Sequence, residues 1–306
     1  MTCDELLTIA QDNVSGAAAL TRRGAKALAA FAQTCPAKTP HAFREAVIQV
    51  GRQLVAAQPT MASMLHLVNH VLLAAEGWQD LNGLRAQTST AAQGFAQLLC
   101  QRGEAVACHA ADLMPDQTTV VTLSHSSAVR EALLAAHRQG KGVHVVCSES
   151  RPADEGLGLA RLLAEAGLTT TLVADAALPA WIGQARVVLV GADSVSVEGV
   201  VNKTGTFGLA LAARHHHVPL YALCGSEKFW PAALRPPPIE DKPAEELWPH
   251  PPSGVKIVNR YFESTPLRFF ASIVTEDGLL TADQVRQALT ELKVHPSLPL
   301  SKHLVT

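Results

Sequence analysis

The sequence predicts an α/β protein with a helical front part and an open, largely parallel sheet behind it. Three observations carry this. Apolar residues recur at helical spacing through the front third of the chain. From about Asp116 onward, short β-branched runs alternate with alanine- and leucine-rich helical runs. The run Val187-Val188-Leu189-Val190 is apolar without alternation, as a strand buried on both faces requires.

In the front part, Ala17, Leu20, Ala27, Leu28 and Phe31 mark one helix. Phe43, Val47, Val50 and Leu54 mark a second, and Met61, Met64, Leu65, Val68, Val71 and Leu72 a third. Pro36, Pro40 and Pro59 punctuate them, and Leu84 to Arg102 reads as a fourth. Behind these, the expected strands are Thr119–Leu123, Val143–Cys147, Thr169–Val173, Val187–Val190 and Leu220–Leu223. The expected helices between them are Ala128–Arg138, Gly158–Ala166, Ala177–Gln184 and Thr206–Arg214. The segment Trp230 to Ser253 holds eight prolines and is expected as an extended excursion, either solvated or ordered against a partner or a site. A strand at Phe270–Val274 and a helix at Ala282–Leu292 close the pattern.

Composition excludes several classes. Lys and Arg number 25 against 27 Asp and Glu, a formal charge of -2, so no basic excess drives binding to a nucleic-acid backbone. No apolar stretch is long enough for a bilayer. The start, Cys3-Asp4-Glu5, lacks the basic and apolar regions of a secretion signal. Cys3, Cys35, Cys100, Cys108, Cys147 and Cys224 are scattered without CxxC spacing, so neither a zinc site nor a disulfide framework is expected. A reducing cytoplasm suits them.

Open α/β sheets bind ligands beyond the carboxyl ends of their strands. Those ends carry Thr122 to Ser127, Ser148 to Pro152, Gly191 to Ser194 with Asn202 to Thr206, and Gly225 to Lys228. Hydroxyl and glycine residues entering helices can present backbone N–H groups to an anion, and Arg151, Lys203 and Lys228 can supply charge. The expected ligand is therefore a phosphorylated small molecule. Each residue also has a structural alternative. Ser126 or Ser127 can cap a helix, and Asp193 can cap or turn. His215-His216-His217 fits an exposed helix end better than a metal site. Cys147 fits a buried small residue, and His125 by itself decides nothing. The glycines of Asn202–Gly208 match no dinucleotide or Walker pattern.

The run Gly191-Ala192-Asp193-Ser194 with Asn202-Lys203-Thr204-Gly205-Thr206 resembles the signature of the initiation factor 2B alpha/beta/delta family. Ser148–Pro152 is similar to its T-E-T/S-R/Q-P segment, and Ser226-Glu227-Lys228-Phe229 to its E-x-x-K-F segment. Asn259 to Thr265 and Thr275-Glu276-Asp277-Gly278 resemble its closing stretches. Ser15-Gly16-Ala17 and Pro59-Thr60 fall where the family has R-G-A and P-T. The family includes regulatory subunits of translation initiation factor 2B and isomerases acting on methylthioribose-1-phosphate and ribose-1,5-bisphosphate.

The resemblance implies a helical domain over 1–112 and a Rossmann-like domain over 113–306 that binds sugar phosphate and forms a homodimer or a higher homo-oligomer. It implies a ligand between the domains, no cofactor and no metal. It places Asp193 and Ser124 at catalytic positions, Ser124 standing where the isomerases have cysteine. It places Gly16, Ala17, Ser126, Arg151, Asn202, Lys203 and Lys228 at substrate-binding positions. Two arginines of the family correspond to Ser15 and Asn69. A thiol of pKa about 8.5 exchanges protons near neutrality, whereas a serine hydroxyl needs an adjacent base. The expected function is thus binding of a phosphorylated sugar or nucleotide with weakened isomerase chemistry. Active aldose–ketose isomerisation through Asp193 and a regulatory subunit of a translation exchange factor are the alternatives.

Overall fold

The computed structural model describes residues 3–12 and 16–298, the side chains of 3–6 excepted. Its contacts divide the chain into two compact units that are discontinuous in sequence. The first comprises 1–101, 227–237 and 288–306, the second 102–226 and 238–287, so two C-terminal segments group with the helical front rather than with the sheet.

The first unit is built on α1 (Cys3–Gln11), α2 (Ala17–Thr34), α3 (Pro40–Ala57), α4 (Ala62–Ala74) and the start of α5 (Leu81–Asp112). Helix α3 begins as its sequence dictates. Pro40 sits in the first turn, where no amide is needed, and the Thr39 hydroxyl accepts from the Ala42 amide at 3.2 Å. Helix α4 buries Met64, Leu65, Leu67, Val68, Val71 and Leu72, so it forms the centre of the unit. Leu20, Leu28, Phe43, Leu54 and Leu84 pack around it, together with Trp230 and Leu298 from the C-terminal segments. Full burial of each such side chain contributes about 1.5–3 kcal/mol. Helix α5 is longer than the expected Leu84 to Arg102 because alanines and polar residues continue the helix without a breaker until Pro115.

The second unit begins in mid-sheet. Strand β1 (Thr118–Thr122) leads to α6 (Ser127–Arg138), β2 (Val143–Ser148), α7 (Glu155–Glu165) and β3 (Thr169–Val173). The chain then returns to β4 (Val187–Gly191), forms β5 (Ser194–Val195) and β6 (Val200–Lys203), and continues through α8 (Thr206–His215) and β7 (Leu220–Leu223). β8 (Phe262–Thr265), β9 (Ser272–Thr275), β10 (Gly278–Leu280) and the start of α9 (Ala282–Glu291) complete it. The large sheet has the order β10-β9-β7-β4-β1-β2-β3. Every pair in it is parallel except β9 with β10. Because β2 and β3 extend one side of β1 and β4 lies on the other, the winding reverses between β1 and β4. Val129 and Leu133 of α6, with Leu159 and Leu163 of α7, bury Val120, Val145 and Leu189 of the sheet.

Two expectations change. Ala177–Gln184 lies in a 3-10 segment, Asp175–Gln184, with Pro179 inside it. Proline has no amide for an α-helical bond, and the tighter winding suits a short connector. Asn202 and Lys203 belong to a strand, because β6 pairs antiparallel with β5 and β8 in a second, three-stranded sheet. The proline-rich segment forms neither α-helix nor sheet: turns and bends at 232–234 and 249–250 and a 3-10 turn at Ala244–Glu246 interrupt an irregular path. Among the described residues no helix is long and apolar enough to cross a membrane.

Candidate functional site

The winding reverses between β1 and β4, and doubly wound sheets receive ligands beyond the carboxyl ends of their strands at such a reversal. After β1 comes Ser124, half-buried and in the left-handed region at φ 63°. A non-glycine residue held there stores roughly 1–3 kcal/mol of strain, a feature that clusters at functional sites. Ser126 then caps α6, its hydroxyl accepting from the Val129 amide at 3.4 Å. Strand β4 ends on Gly191, and the need for glycine is steric. An added Cβ would lie 2.5 Å from Ser126 Oγ and 3.6 Å from Asn202 Oδ1. Ser126 and Asn202 therefore close over the end of β4.

Asp193, two residues on, is half-buried, and its amide donates to the Val201 carbonyl at 2.8 Å, beside the strand that carries Asn202 and Lys203. The Asn202 side chain donates to Thr206 Oγ1 at 3.0 Å, and that hydroxyl donates to the Lys203 carbonyl at 2.6 Å. Ser124, Ser126, Asp193, Asn202 and Lys203 thus belong to one rim of the second unit.

Lys203 is not a bare cation. Its ammonium lies 2.9 Å from each carboxylate oxygen of Glu155, the first residue of α7, and 4.8 Å from the centre of the Tyr261 ring. The Tyr261 hydroxyl donates to Glu246 at 2.6 Å, and the Asn259 amide donates to the same oxygen at 2.8 Å. Burial, then that hydrogen bond and the Glu246 charge, raise the phenol above its ordinary pKa. Sequence reasoning missed Glu155, Glu246 and Tyr261. The signal open to it was an acidic residue at the start of a helix that follows the Ser148–Pro152 segment.

The backbone amides at three other strand tips are satisfied from within, which corrects the expectation that they await an anion. The Asp175 carboxylate accepts from the Ser150 amide at 2.8 Å and the Arg151 amide at 2.7 Å. Glu263 accepts from the Gly205 amide at 2.9 Å and the Phe207 amide at 2.7 Å, at the head of α8. Glu276 accepts from the Ser226 amide at 2.8 Å and hydroxyl at 2.5 Å, and meets Arg102 at 2.7 Å. The Arg151 guanidinium is half-exposed and leans toward Asp154 at 3.4 Å.

Gly16, Ala17 and Lys228 belong to the first unit. Gly16 precedes α2 as its N-cap, Ala17 is buried as the first helical residue, and Lys228 is buried at the end of a 3-10 turn. Ser15 lies outside the described residues. Asn69 ties α4 to the C-terminal segment, donating to the Lys293 carbonyl at 2.7 Å and accepting from the His295 amide at 2.8 Å.

His125 is held below its ordinary pKa by partial desolvation and then by the Arg130 charge, against an opposing effect of Glu155. Its ring faces α7, with Nδ1 3.6 Å from where a Cβ on Gly158 would sit. Burial pushes the Cys147 thiol up to about 11, as befits an inert core residue. His215 ends α8 and His216 caps it. Among the described residues no cluster of three or more His, Cys, Asp or Glu side chains could hold a metal.

The family model described as the initiation factor 2 subunit family matches residues 13–282. The ribose 1,5-bisphosphate isomerase of Methanocaldococcus jannaschii is 30% identical over 272 residues, 87% of each chain. A protein of Pyrococcus furiosus named putative translation initiation factor eIF-2B subunit 2-like is 29% identical over 271 residues, 88% of this chain and 92% of that one. The crystal structure of the Pyrococcus horikoshii translation initiation factor eIF-2B superposes with a TM-score of 0.78 at 26% identity, covering 90% of this chain and 95% of its own. The match runs from the helical front through the β1–β4 reversal to the second sheet, and the chain belongs to the initiation factor 2 subunit family.

Proposed function

We propose that the chain binds a phosphorylated sugar at the crevice beyond β1 and β4, with Asp193 as the proton-transfer group. The convergence of Ser126 and Asn202 over Gly191, beside Asp193, carries this reading. It gathers hydroxyl, amide and carboxylate groups where the winding reverses, and these are the groups that orient a polyol. The relatives named ribose 1,5-bisphosphate isomerase support a phosphorylated ribose as the substrate class.

In an aldose 1-phosphate the anomeric oxygen is blocked, so an acid must first protonate the ring oxygen. Moving the carbonyl from carbon one to carbon two then requires a proton or hydride shift. Asp193 supplies one group for this sequence. Ser124 does not supply a second at neutral pH, because a serine hydroxyl ionises far above a thiol's roughly 8.5 and His125 faces α7. Binding is therefore the primary property and turnover is slow. A homodimer, without nucleic acid or membrane, is part of the same reading.

Calorimetric titration with ribose phosphates tests the binding. Saturable binding at millimolar ligand or below is expected, and its absence rejects the proposal. Aldose–ketose turnover is favoured by the place of Asp193 beside β6. Asp193→Asn is expected to reduce any turnover at least 100-fold with affinity changed less than threefold, and an unchanged rate removes Asp193 from the chemistry.

A further inference from the structure

We infer that Glu155 sets which phosphorylated sugars the site accepts: paired with Lys203, it turns that corner into a reader of sugar hydroxyls and excludes a second phosphate. This rests on the sugar-phosphate function proposed above and specifies its substrate class.

The pair is close and two-pronged, with both Glu155 oxygens 2.9 Å from the ammonium. The Lys203 side chain is 4% exposed and that of Glu155 30%, so the cation is almost covered while its carboxylate partner stays partly accessible. A buried ammonium that loses its counter-ion is left unpaired, so a phosphate could take the ammonium only by displacing Glu155 or by lying against it. Displacement leaves one negative charge without its partner, and lying against it sets like charges in contact.

The surroundings offer no relief. Glu246 stands behind Tyr261, whose ring covers Lys203 from another side. The amides of Gly205 and Phe207, at the next turn of chain, already hold Glu263. Beside the Tyr261 ring the carboxylates of Glu155 and Glu246 thus already balance the ammonium groups of Lys203 and of Lys242, which lies 5.9 Å from that ring.

A sugar hydroxyl meets no such obstacle. It donates to Glu155 and accepts from Lys203 while the ion pair stays closed, and a vicinal diol can do both at once. The fitting ligand carries one phosphate, seated elsewhere, and presents its polyol end to this pair.

The test measures dissociation constants of ribose 1-phosphate, ribose 5-phosphate and ribose 1,5-bisphosphate by calorimetry for the wild-type chain and for Glu155→Gln. The wild type is expected to bind at least one monophosphate tenfold or more tightly than the bisphosphate. Glu155→Gln keeps the shape and an acceptor but removes the charge. It is expected to shift the ratio of monophosphate to bisphosphate affinity tenfold or more toward the bisphosphate, because the polyol end loses its charged acceptor while the second phosphate loses its repulsion. A wild type that prefers the bisphosphate overturns the inference, as does a variant whose preference is unchanged, and in both cases the sugar-phosphate function stands. If Glu155→Gln fails to fold, the wild-type ratio and Glu155→Asp, which retracts the charge, decide the matter. No saturable binding of any of the three by the wild type rejects the proposed function, and the inference with it.

Discussion

The tip of β1 and the tips of β2, β6 and β7 are written in similar residues, serines, threonines and glycines running into a helix or turn, yet they are completed differently. After β2, β6 and β7, carboxylates from distant parts of the chain occupy the backbone amides: Asp175, Glu263 and Glu276. After β1, the head of α6 is held by a neutral hydroxyl, that of Ser126. A helix start favours negative charge, so a chain that supplies its own carboxylate spends that preference on stability, and one that supplies a hydroxyl leaves it available. The comparison separates three tips held by carboxylates from the tip to which the proposed ligand is assigned.

The largest effect is expected at the β2 tip. Gly156 brings α7 so near that an added Cβ would lie 1.7 Å from the Ser148 carbonyl oxygen. Backbone atoms cannot swing aside, so Gly156→Ala is expected to lower unfolding free energy by about 3 kcal/mol, although alanine gains about 1 kcal/mol of helix propensity. Urea denaturation measures it, and a loss below 1 kcal/mol shows that α7 slides freely along β2.

Next comes Asp175→Ala at the same tip. It removes two charge-assisted bonds to the Ser150 and Arg151 amides and is expected to cost about 2–3 kcal/mol in the same assay. An unchanged midpoint means that water replaces the carboxylate and that the tip is an open cradle after all.

Ser126→Ala is expected to cost only about 0.5–1 kcal/mol, since the capping bond is long at 3.4 Å. Its effect on ribose phosphate affinity should exceed its effect on stability. The reverse order assigns Ser126 to capping alone.

The smallest effect is a pH dependence at the β1 tip. His125 has a folded pKa below the ordinary histidine value of about 6.5, so the unfolded chain binds the proton more readily. Stability from this group is present above about 6.5 and falls as pH drops toward the folded value. Urea midpoints between pH 7.5 and 5.5 should decline less steeply in His125→Gln than in the wild type, and equal slopes remove His125 from the account.

Much of the second unit was legible because parallel strands buried on both faces write themselves as apolar runs. The ranges expected for the strands at 143, 169, 187 and 220 agree with those observed to within a residue. β6 and β8 were missed because they are short and pair across some sixty residues, as Asn202 does with Glu263. The crevice was partly legible too, since the fold rule points to strand ends and Ser124, Ser126, Asp193, Asn202 and Lys203 all lie there. The carboxylates that complete the rim were not. Glu155 is 48 residues from Lys203 in sequence, and Glu263 is 58 from Gly205.

By itself, the sequence determined most of the helices and parallel strands, the open α/β class and the residue types at the strand tips. Those follow from periodicity, steric preference and the handedness of crossovers, which act over a few residues at a time. Only the tertiary structure decided which tips are neutralised by a carboxylate and which is capped by a hydroxyl. An ion pair or a capped amide is a meeting of groups that chain folding brings together, and nothing local in either partner records that the other will arrive.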